Sequence, residues 1–277
     1  MHTRFWLRED EAGLNNYQAN QQQDRFVKRY YYLFKTFKNW WLYLFYKFGF
    51  TDMEILVFES RNGVIVEVPV RLVQTFKEIF MDECYLAGLE RNISQGATVI
   101  DIGANAGYFS LFAAAKFPHS RIFSYEPVPV NYAQLQRNCD LNSSVHIKSY
   151  PQAVAGQNGE INLSFDTSDS FTTSATMFAS ANAGEKSLKV PCVSLQEVME
   201  RNGITKCDLL KMDCEGAEYD ILYNCPVEYL QRIDQFAMEV HRGEKESQNI
   251  DALEAFFRKL GFSTRRRPVG MLWAWHE

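Results

Sequence analysis

The feature that most constrains this chain is a regular alternation of short apolar runs with longer amphipathic segments, beginning at residue 98. The apolar runs favour buried strands, and the amphipathic segments between them favour helices. Strands that alternate with helices in this way predict an α/β fold with a doubly wound, mostly parallel sheet and helices on both faces. The last two runs have no helix between them, which predicts one antiparallel strand at the end. The predicted strands are 98–102, 121–126, 145–150, 161–165, 188–193, 208–213, 236–241, 262–267 and 271–276.

Composition and charge restrict the class of protein further. The 277 residues carry 29 basic and 34 acidic side chains, a net charge of −5, which argues against a dedicated nucleic-acid-binding module. The six cysteines form no CxxC pair, and no apolar run reaches the roughly 18 residues that a membrane-spanning helix needs. The first residues are charged and lack the apolar stretch of a secretory signal, so we expect a cytoplasmic protein with reduced thiols.

The residues before the alternating region have a different character. Residues 1–24 are polar, whereas 26–50 hold 13 aromatic residues and five basic residues with no acid. One interpretation of 26–50 is a helix that packs on the main domain, or on a second subunit as a homodimer contact. The other is a membrane-surface contact or a lid over the substrate.

Turn and periodicity signals complete the N-terminal part. Asn62-Gly63 separates two β-rich runs and predicts a hairpin. Apolar residues at helical spacing predict a helix over 70–93. We therefore expect an N-terminal helical and hairpin extension, 1–94, and a core domain, 95–277.

The first strand of the alternating region runs into a glycine turn. Asp101 lies in this strand, and Gly103, Asn105 and Gly107 follow it before the next helix. Glu126 ends the second strand, 19 residues beyond Gly107, where a carboxylate can accept hydrogen bonds from two ribose hydroxyls. These features predict a nucleoside cofactor at the carboxyl ends of the strands. The spacing matches neither the GxGxxG of a dinucleotide site nor a P-loop, and it fits S-adenosylmethionine.

Four segments of the chain resemble the FkbM family of S-adenosylmethionine-dependent methyltransferases. They are VIDIGANAGYFSL (99–111), YEPVPVNYAQLQRN (125–138), KMDCEGAEYDIL (211–222) and AMEVH (237–241). The resemblance implies a class I methyltransferase fold, which is Rossmann-like and has a seven-stranded sheet. It also implies O-methylation of a small-molecule or glycan acceptor, such as a sugar or a secondary metabolite in natural product biosynthesis. N-methylation of an amide or amine, and a noncatalytic cofactor-binding or assembly role, stay open as alternatives.

The resemblance further implies which residues bind the cofactor. The strand-end aspartate and the glycine turn would hold the methionine portion, and the acid after the second strand would bind the ribose. The proline beside that acid and a small residue after the third strand would lie against the adenine. In chain order these residues are Asp101, Gly103, Asn105, Gly107, Glu126, Pro127 and Ala153.

A second acidic stretch predicts the acceptor side of the site. Asp213 ends a buried strand, and Glu215 and Glu218 follow it, an arrangement that is costly to bury unless a cation or a proton relieves it. A hydroxyl acceptor must lose a proton, so we expect the catalytic base among Asp213, Glu215, Glu239 and His241. Glu218 has an alternative role as an acid at a helix N-terminus.

A divalent ion is another way to balance these carboxylates. Asp213, Glu215 and Glu239 are hard oxygen ligands that could hold magnesium and chelate a vicinal diol. The spacing of the three residues does not require a metal.

Two further segments bear on the acceptor. The Ser/Thr-rich segment 166–187 is longer than a simple connection, which predicts a flap over the acceptor site or a surface insertion. The run Arg265-Arg266-Arg267 could grip an anionic acceptor or lie solvated along a strand.

Overall fold

The structure of the chain is a computed structural model that describes residues 27–166, 175–176, 185–243, 245–267 and 270–277. In chain order the helices are α1 (27–36), α2 (Trp41–Lys47), α3 (Val73–Phe76), α4 (Tyr108–Lys116), α5 (Pro129–Asp140), α6 (Leu195–Arg201), α7 (Glu218–Asn224), α8 (Val227–Leu230) and α9 (Ile250–Lys259). The strands are β1 (Ile55–Glu59), β2 (Ile65–Pro69), β3 (Thr98–Ile102), β4 (Arg121–Tyr125), β5 (His146–Tyr150), β6 (Ala153–Ala155), β7 (Gly159–Asp166), β8 (Ala175–Thr176), β9 (Glu185–Ser194), β10 (Leu209–Met212), β11 (Gln235–Glu239), β12 (Ser263–Arg266) and β13 (Met271–Trp275).

A central sheet of seven strands organises the molecule, in the order β12-β13-β11-β10-β3-β4-β5. All neighbours from β11 to β5 are parallel, and β13 runs antiparallel to both β11 and β12. The predicted seven-stranded, mostly parallel α/β fold and its antiparallel strand are therefore confirmed. The chain leaves β3 toward β4 on one side and returns later to β10 on the other. Ligands of doubly wound sheets bind at such a reversal of strand order.

Helices cover both faces of the sheet, which is why its central strands are buried along their whole length and mostly apolar. Every residue of β3 and β10 is buried. Val99 packs with Phe109 and Phe112 of α4 on one face, and Ile100 belongs to the core of α7 and α9 on the other.

A smaller sheet, in the order β6-β9-β7-β8, stands beside the central one. The predicted strands 161–165 and 188–193 lie within β7 and β9, which pair antiparallel. Most of the predicted flap over 166–187, namely 167–174 and 177–184, lies outside the described residues.

The helix predicted over 70–93 is wrong beyond residue 81. A 3-10 turn, α3 and a π turn over Lys77–Met81 form a helical run, which ends where the Asp82 N–H bonds to the Lys77 carbonyl. Glu83 then adopts a left-handed φ of 46°, which no helix continues through. The chain turns here because the residues after it pack against β13, and that tertiary contact outweighs the local periodicity.

The N-terminal segment shares its core with the sheet. The Phe37 ring lies 5.3 Å from that of Phe58 and 5.1 Å from that of Phe80, and Phe80 in turn meets Phe112 of α4 at 5.5 Å. This packing agrees with the interpretation that 26–50 packs on the main domain, although the segment forms two helices separated at 37–40. The division at residue 94 stays a prediction. Among the described residues, no helix has both the length and the apolar character needed to cross a membrane.

Candidate active site

A cavity of about 1290 Å³ opens at the carboxyl ends of β3, β4, β10 and β11. Single-ligand pockets usually span about 300 to 1,000 Å³, so this one has room for a nucleoside cofactor and an acceptor together. Sheet residues form one part of its wall. The N-terminal segment forms another part, with Lys28 and Tyr32 of α1 and several residues between 75 and 87.

The glycine turn after β3 brings two strand ends together. The N–H groups of Gly103 and Ala104 both donate to the Tyr125 carbonyl. A Cβ at Gly103 would lie 1.8 Å from the Asp213 carbonyl oxygen, and one at Gly107 would lie 2.4 Å from Leu135 Cδ1. Both glycines also have left-handed φ values, so no other residue fits at either position without moving the backbone.

Glu126 lies buried on the cavity wall beside this turn. Its Oε2 accepts a hydrogen bond of 2.8 Å from the Asn105 N–H, and its Oε1 accepts one of 2.9 Å from the Val128 N–H. Burial raises the pKa of Glu126 to about 7, although these donors oppose the rise. Asn105 holds a left-handed φ of 50°, and this conformation is what aims its N–H at the carboxylate.

Small and apolar side chains form the wall next to Glu126. Pro127 and Ala153, the residues predicted to lie against an adenine, both line the cavity. Val154, Ile161 and Leu163 extend the same wall, so an aromatic base would meet carbon rather than charge there.

Asp101 is close to the cavity but does not line it. Parallel register places Asp101 between Ser124 of β4 and Lys211 of β10, on the same face of the sheet. The carboxylate accepts a hydrogen bond of 2.6 Å from Ser110 Oγ and pairs with Lys211 Nζ at 3.1 Å. Asp101 is therefore linked to the cavity through its ion pair with Lys211, which lines the cavity.

Lys211 lies between the glycine turn and Asp213. It was not predicted as a site residue from the sequence. Its buried ammonium donates to the Gly103 carbonyl at 2.7 Å. Burial alone would lower the pKa of Lys211, but the charges of Asp101 and Asp213 outweigh that cost and raise it. The positively charged side chain of Lys211 thus lies next to the glycine turn.

Three of the predicted catalytic carboxylates converge at the other end of the cavity. Asp213, Glu215 and Glu239 all line it. Burial, reinforced by neighbouring carboxylates, raises the pKa of Glu215 to about 7, and burial together with the charge of Asp213 also raises that of Glu239. Glu215 has a left-handed φ of 52°, a conformation that is uncommon outside glycine and is often found at functional sites.

His241, the fourth predicted catalytic residue, lies behind Glu215 rather than on the cavity wall. Its Nε2 is 3.4 Å from Glu215 Oε2, and its Nδ1 is 3.1 Å from Oε1 of the fully buried Glu218. Burial alone would lower the pKa of His241, but the hydrogen bond to Glu218 and the charges of Glu218 and Glu215 raise it to about 9. The imidazole is therefore protonated at neutral pH. Glu218 begins α7 and also accepts a bond from the Cys214 N–H.

The grouping of possible metal ligands differs from the predicted magnesium set. Within the described ranges, ligand atoms of Asp213, Glu215 and His241 lie within 4.8 Å of one another, and Glu239 is not part of that group. An imidazole in place of a carboxylate makes the set a poorer match to magnesium, which prefers oxygen ligands.

Tyr85 is a site residue that sequence reasoning missed. Its hydroxyl donates a hydrogen bond of 2.7 Å to Asp213 Oδ2, across 128 residues of chain. Its carbonyl accepts a bond of 2.7 Å from Trp273 Nε1, and a Cβ at Gly88 would collide with the Trp273 ring at 2.2 Å. The only signal in the sequence was an apolar-flanked tyrosine in a segment predicted to be helical.

The arginine run near the end divides among three surroundings. Arg265 pairs with Glu90, and Arg266 pairs with Asp251. Arg267 lines the cavity, so one member of the run is placed where it can meet an acceptor.

Comparison with known proteins extends this picture. A sequence model of the FkbM methyltransferase domain matches residues 101–264. The methyltransferase sdnD of Sordaria araneosa is 26% identical over 205 residues, which cover 64% of this chain and 78% of that protein. The 31-O-demethyl-FK506 methyltransferase FkbM of Streptomyces tacrolimicus is 29% identical over 192 residues, covering 60% and 73%. The hexuronic acid methyltransferase AglP of Haloferax volcanii is 26% identical over 143 residues, covering 52% and 55%.

Proposed function

The chain belongs to the FkbM methyltransferase family, and on that premise we propose that it transfers a methyl group from S-adenosylmethionine to a hydroxyl oxygen of a sugar or secondary metabolite. Two relatives are named for their acceptors: one for 31-O-demethyl-FK506, the other for a hexuronic acid. The single observation that carries the proposal is one cavity lined both by Glu126, beside the glycine turn, and by the carboxylates of Asp213, Glu215 and Glu239.

The residues around Glu126 fit the cofactor. Both carboxylate oxygens are held by backbone N–H groups, and their remaining lone pairs suit the paired hydroxyls of a ribose. Ala153 and Val154 offer a flat apolar surface for adenine. When bound, S-adenosylmethionine supplies an electrophilic methyl group on a positively charged sulfur.

Glu215 is the base of the proposed reaction. It lines the cavity, and its pKa of about 7 lets it take a proton from the acceptor hydroxyl near neutral pH. The Glu215 carboxylate would take the proton that the acceptor hydroxyl loses when its oxygen is methylated. Positioning of the oxygen in line with the methyl group is the larger part of the task.

His241 is a positioning residue in this scheme. Because it is held protonated between Glu215 and Glu218, it has no free lone pair with which to accept a proton. Its charge keeps Glu215 ionised in the company of other carboxylates. We therefore propose that the imidazolium, rather than a magnesium ion, balances this cluster. Full activity in the presence of a chelator is expected, and loss that added magnesium restores would overturn this point.

Asp213 orients the acceptor. Tyr85 occupies its Oδ2, which directs the rest of the carboxylate toward the cavity. A second hydroxyl of a polyhydroxylated acceptor suits that position, as a hydrogen-bond partner for the other carboxyl oxygen.

The function is tested by incubating the protein with S-adenosylmethionine and a panel of sugars, macrolides, peptides and amines, followed by mass spectrometry. A gain of one methyl group on a hydroxyl compound is expected. Methylation confined to amines or amides would replace the proposal with the nitrogen alternative. Cofactor binding without any methylated product across the panel would favour the noncatalytic one.

A further inference from the structure

The two N-terminal helices carry two apolar faces rather than one. The inner face is buried in the core through Leu33, Phe37, Leu42 and Tyr43. The outer face consists of large aromatic side chains that remain exposed. We call it the aromatic face: Tyr31, Phe34, Trp41, Phe45, Phe48 and Phe50. Attachment to the sheet accounts for the inner face and leaves the outer one without a role.

Four of the six rings of the aromatic face form a continuous group. Trp41 lies 5.1 Å from Phe45, and Phe50 lies 6.1 Å from Phe45 and 6.4 Å from Phe48, ring centre to ring centre. Phe50 is 74% exposed and Phe48 is 62% exposed, which is unusual for neighbouring rings of this size. Contiguous exposed apolar surface of this kind marks a contact with another phase or molecule.

Charge indicates what that contact is. Residues 26–50 hold five basic side chains and no acid. Because the whole chain has a net charge of −5, the remainder carries −10 (−5 less +5). Two of the exposed lysines, Lys35 and Lys47, have ammonium groups 5.6 Å from the ring centres of Tyr31 and Phe48, respectively, on the aromatic face. A surface that combines exposed aromatic rings with lysines, on an otherwise acidic protein, is complementary to a surface with negative charge above apolar material. An anionic lipid bilayer has both properties.

We propose that the aromatic face docks on the surface of an anionic lipid bilayer. The rings enter the boundary between headgroups and acyl chains, where aromatic side chains concentrate, and the lysines remain at the level of the headgroups. Lys35 on the first helix and Lys47 at the end of the second lie over rings of the face, whereas Lys38 pairs with Glu59. A symmetric dimer through the same face would bring two positive segments together, so the charge disfavours it.

Docking in this way sets the cavity beside the lipid. The first helix presents Tyr31 and Phe34 outward, while Lys28 and Tyr32 on the same helix line the cavity. An amphiphilic acceptor could keep its apolar part in the bilayer and extend a hydroxylated head group into the cavity. This last step rests on the proposed function, whereas the docking itself does not.

The test is sedimentation of the full-length protein with vesicles. One preparation contains phosphatidylcholine alone, and the other contains equimolar phosphatidylcholine and phosphatidylglycerol. We expect co-sedimentation with the anionic vesicles and much less with the neutral ones, because the lysines contribute only against negative headgroups.

Two variants locate the contact. The combination Trp41→Ser, Phe45→Ser, Phe48→Ser and Phe50→Ser should weaken binding by about tenfold or more, because four rings no longer enter the lipid. A control with Leu141→Ser and Val227→Ser removes comparably exposed apolar side chains elsewhere and should bind as the parent does. Calorimetric binding of S-adenosylmethionine, measured on every variant, shows that each one is folded.

Three results would overturn the proposal. The first is parent protein that stays in the supernatant with both vesicle preparations. The second is equal vesicle binding by the four-ring variant. The third is a parent dimer that becomes monomeric in the four-ring variant, with no vesicle binding by either. Vesicle binding by a parent that fails to bind S-adenosylmethionine would sink the proposed function and leave the docking intact.

Discussion

Two glutamates at opposite ends of the cavity share a pKa of about 7 for different reasons. Burial raises the pKa of Glu126, and only hydrogen-bond donors and the charge of Lys211 oppose the rise. Burial also raises the pKa of Glu215, but there the neighbouring carboxylates add to the rise and the charge of His241 opposes it. Burial is the largest cause in both, and the two differ in what acts beside it: mainly backbone N–H groups at Glu126 and charged side chains at Glu215.

The difference matches the two proposed roles, in which Glu126 binds the cofactor and Glu215 accepts a proton. Backbone donors fix the position of the Glu126 carboxylate, and no single side-chain substitution removes them. The partners of Glu215 are titratable side chains, so its pKa responds to single substitutions. If the two glutamates act independently, a substitution at one should leave the role of the other intact.

The largest effect is expected for Glu215→Gln. Removal of a positioned base typically lowers kcat by about 10²- to 10⁴-fold. Binding of S-adenosylmethionine should be almost unchanged, because Glu126 and the glycine turn are untouched. Steady-state kinetics and calorimetry measure the two quantities, and a variant that keeps its kcat would remove Glu215 from the role of base.

Glu126→Ala should disturb the other end alone. Loss of hydrogen bonds to a charged group costs about 1.5 to 3 kcal/mol, so the Kd for S-adenosylmethionine should rise by about 10- to 100-fold. At saturating cofactor, kcat should fall much less than in Glu215→Gln. An unchanged Kd would contradict the placement of the ribose at Glu126.

His241→Gln should shift a pH profile. In the parent, kcat should rise with pH through about 7, because the carboxylate of Glu215 must be ionised to accept a proton. The imidazolium lowers the pKa of Glu215, so its removal should move this rise to higher pH, by about one unit. A shift to lower pH in His241→Gln would rule out a positioning role for His241.

The smallest effect is expected for Tyr85→Phe. The variant loses one hydrogen bond to Asp213, worth about 0.5 to 1.5 kcal/mol, so kcat/KM should fall by about 2- to 10-fold. Tyr132→Phe is the matched control, since its hydroxyl donates to the Ser149 carbonyl at 3.3 Å and the residue does not line the cavity. An equal loss of kcat/KM in both variants would mean that the effect is general destabilisation.

The binding end of the cavity could be predicted from sequence because its parts are close in the chain. Gly103, Asn105 and Gly107 lie in one turn, and Glu126 ends the next strand, so a pattern of glycines and one acid predicts their meeting. Even here the pattern did not show which way Asp101 faces. Its pairing with Lys211 depends on the register of β3 against β10, which pairs segments about 110 residues apart.

The reactive end was predictable in part. The acidic run at Asp213 and Glu215 indicated that a cation or a proton must balance the charge, but the run could not show that His241 supplies it. Tyr85 was not predicted, because its role depends on a tertiary contact that also ends the predicted helix. Periodicity describes a segment in isolation, and it fails where packing on a distant strand decides the backbone.

The bond between Trp273 Nε1 and the Tyr85 carbonyl spans 188 residues of sequence, and this imposes an order of assembly. At a synthesis rate of about 5 to 20 residues per second, roughly 10 to 40 s pass between the two residues. During that interval the glycine turn and Glu126 have been made, while the segment around Tyr85 has no β13 to pack on. A nascent chain can therefore contain the glycine turn and Glu126 well before β13 is available to complete the packing around Tyr85.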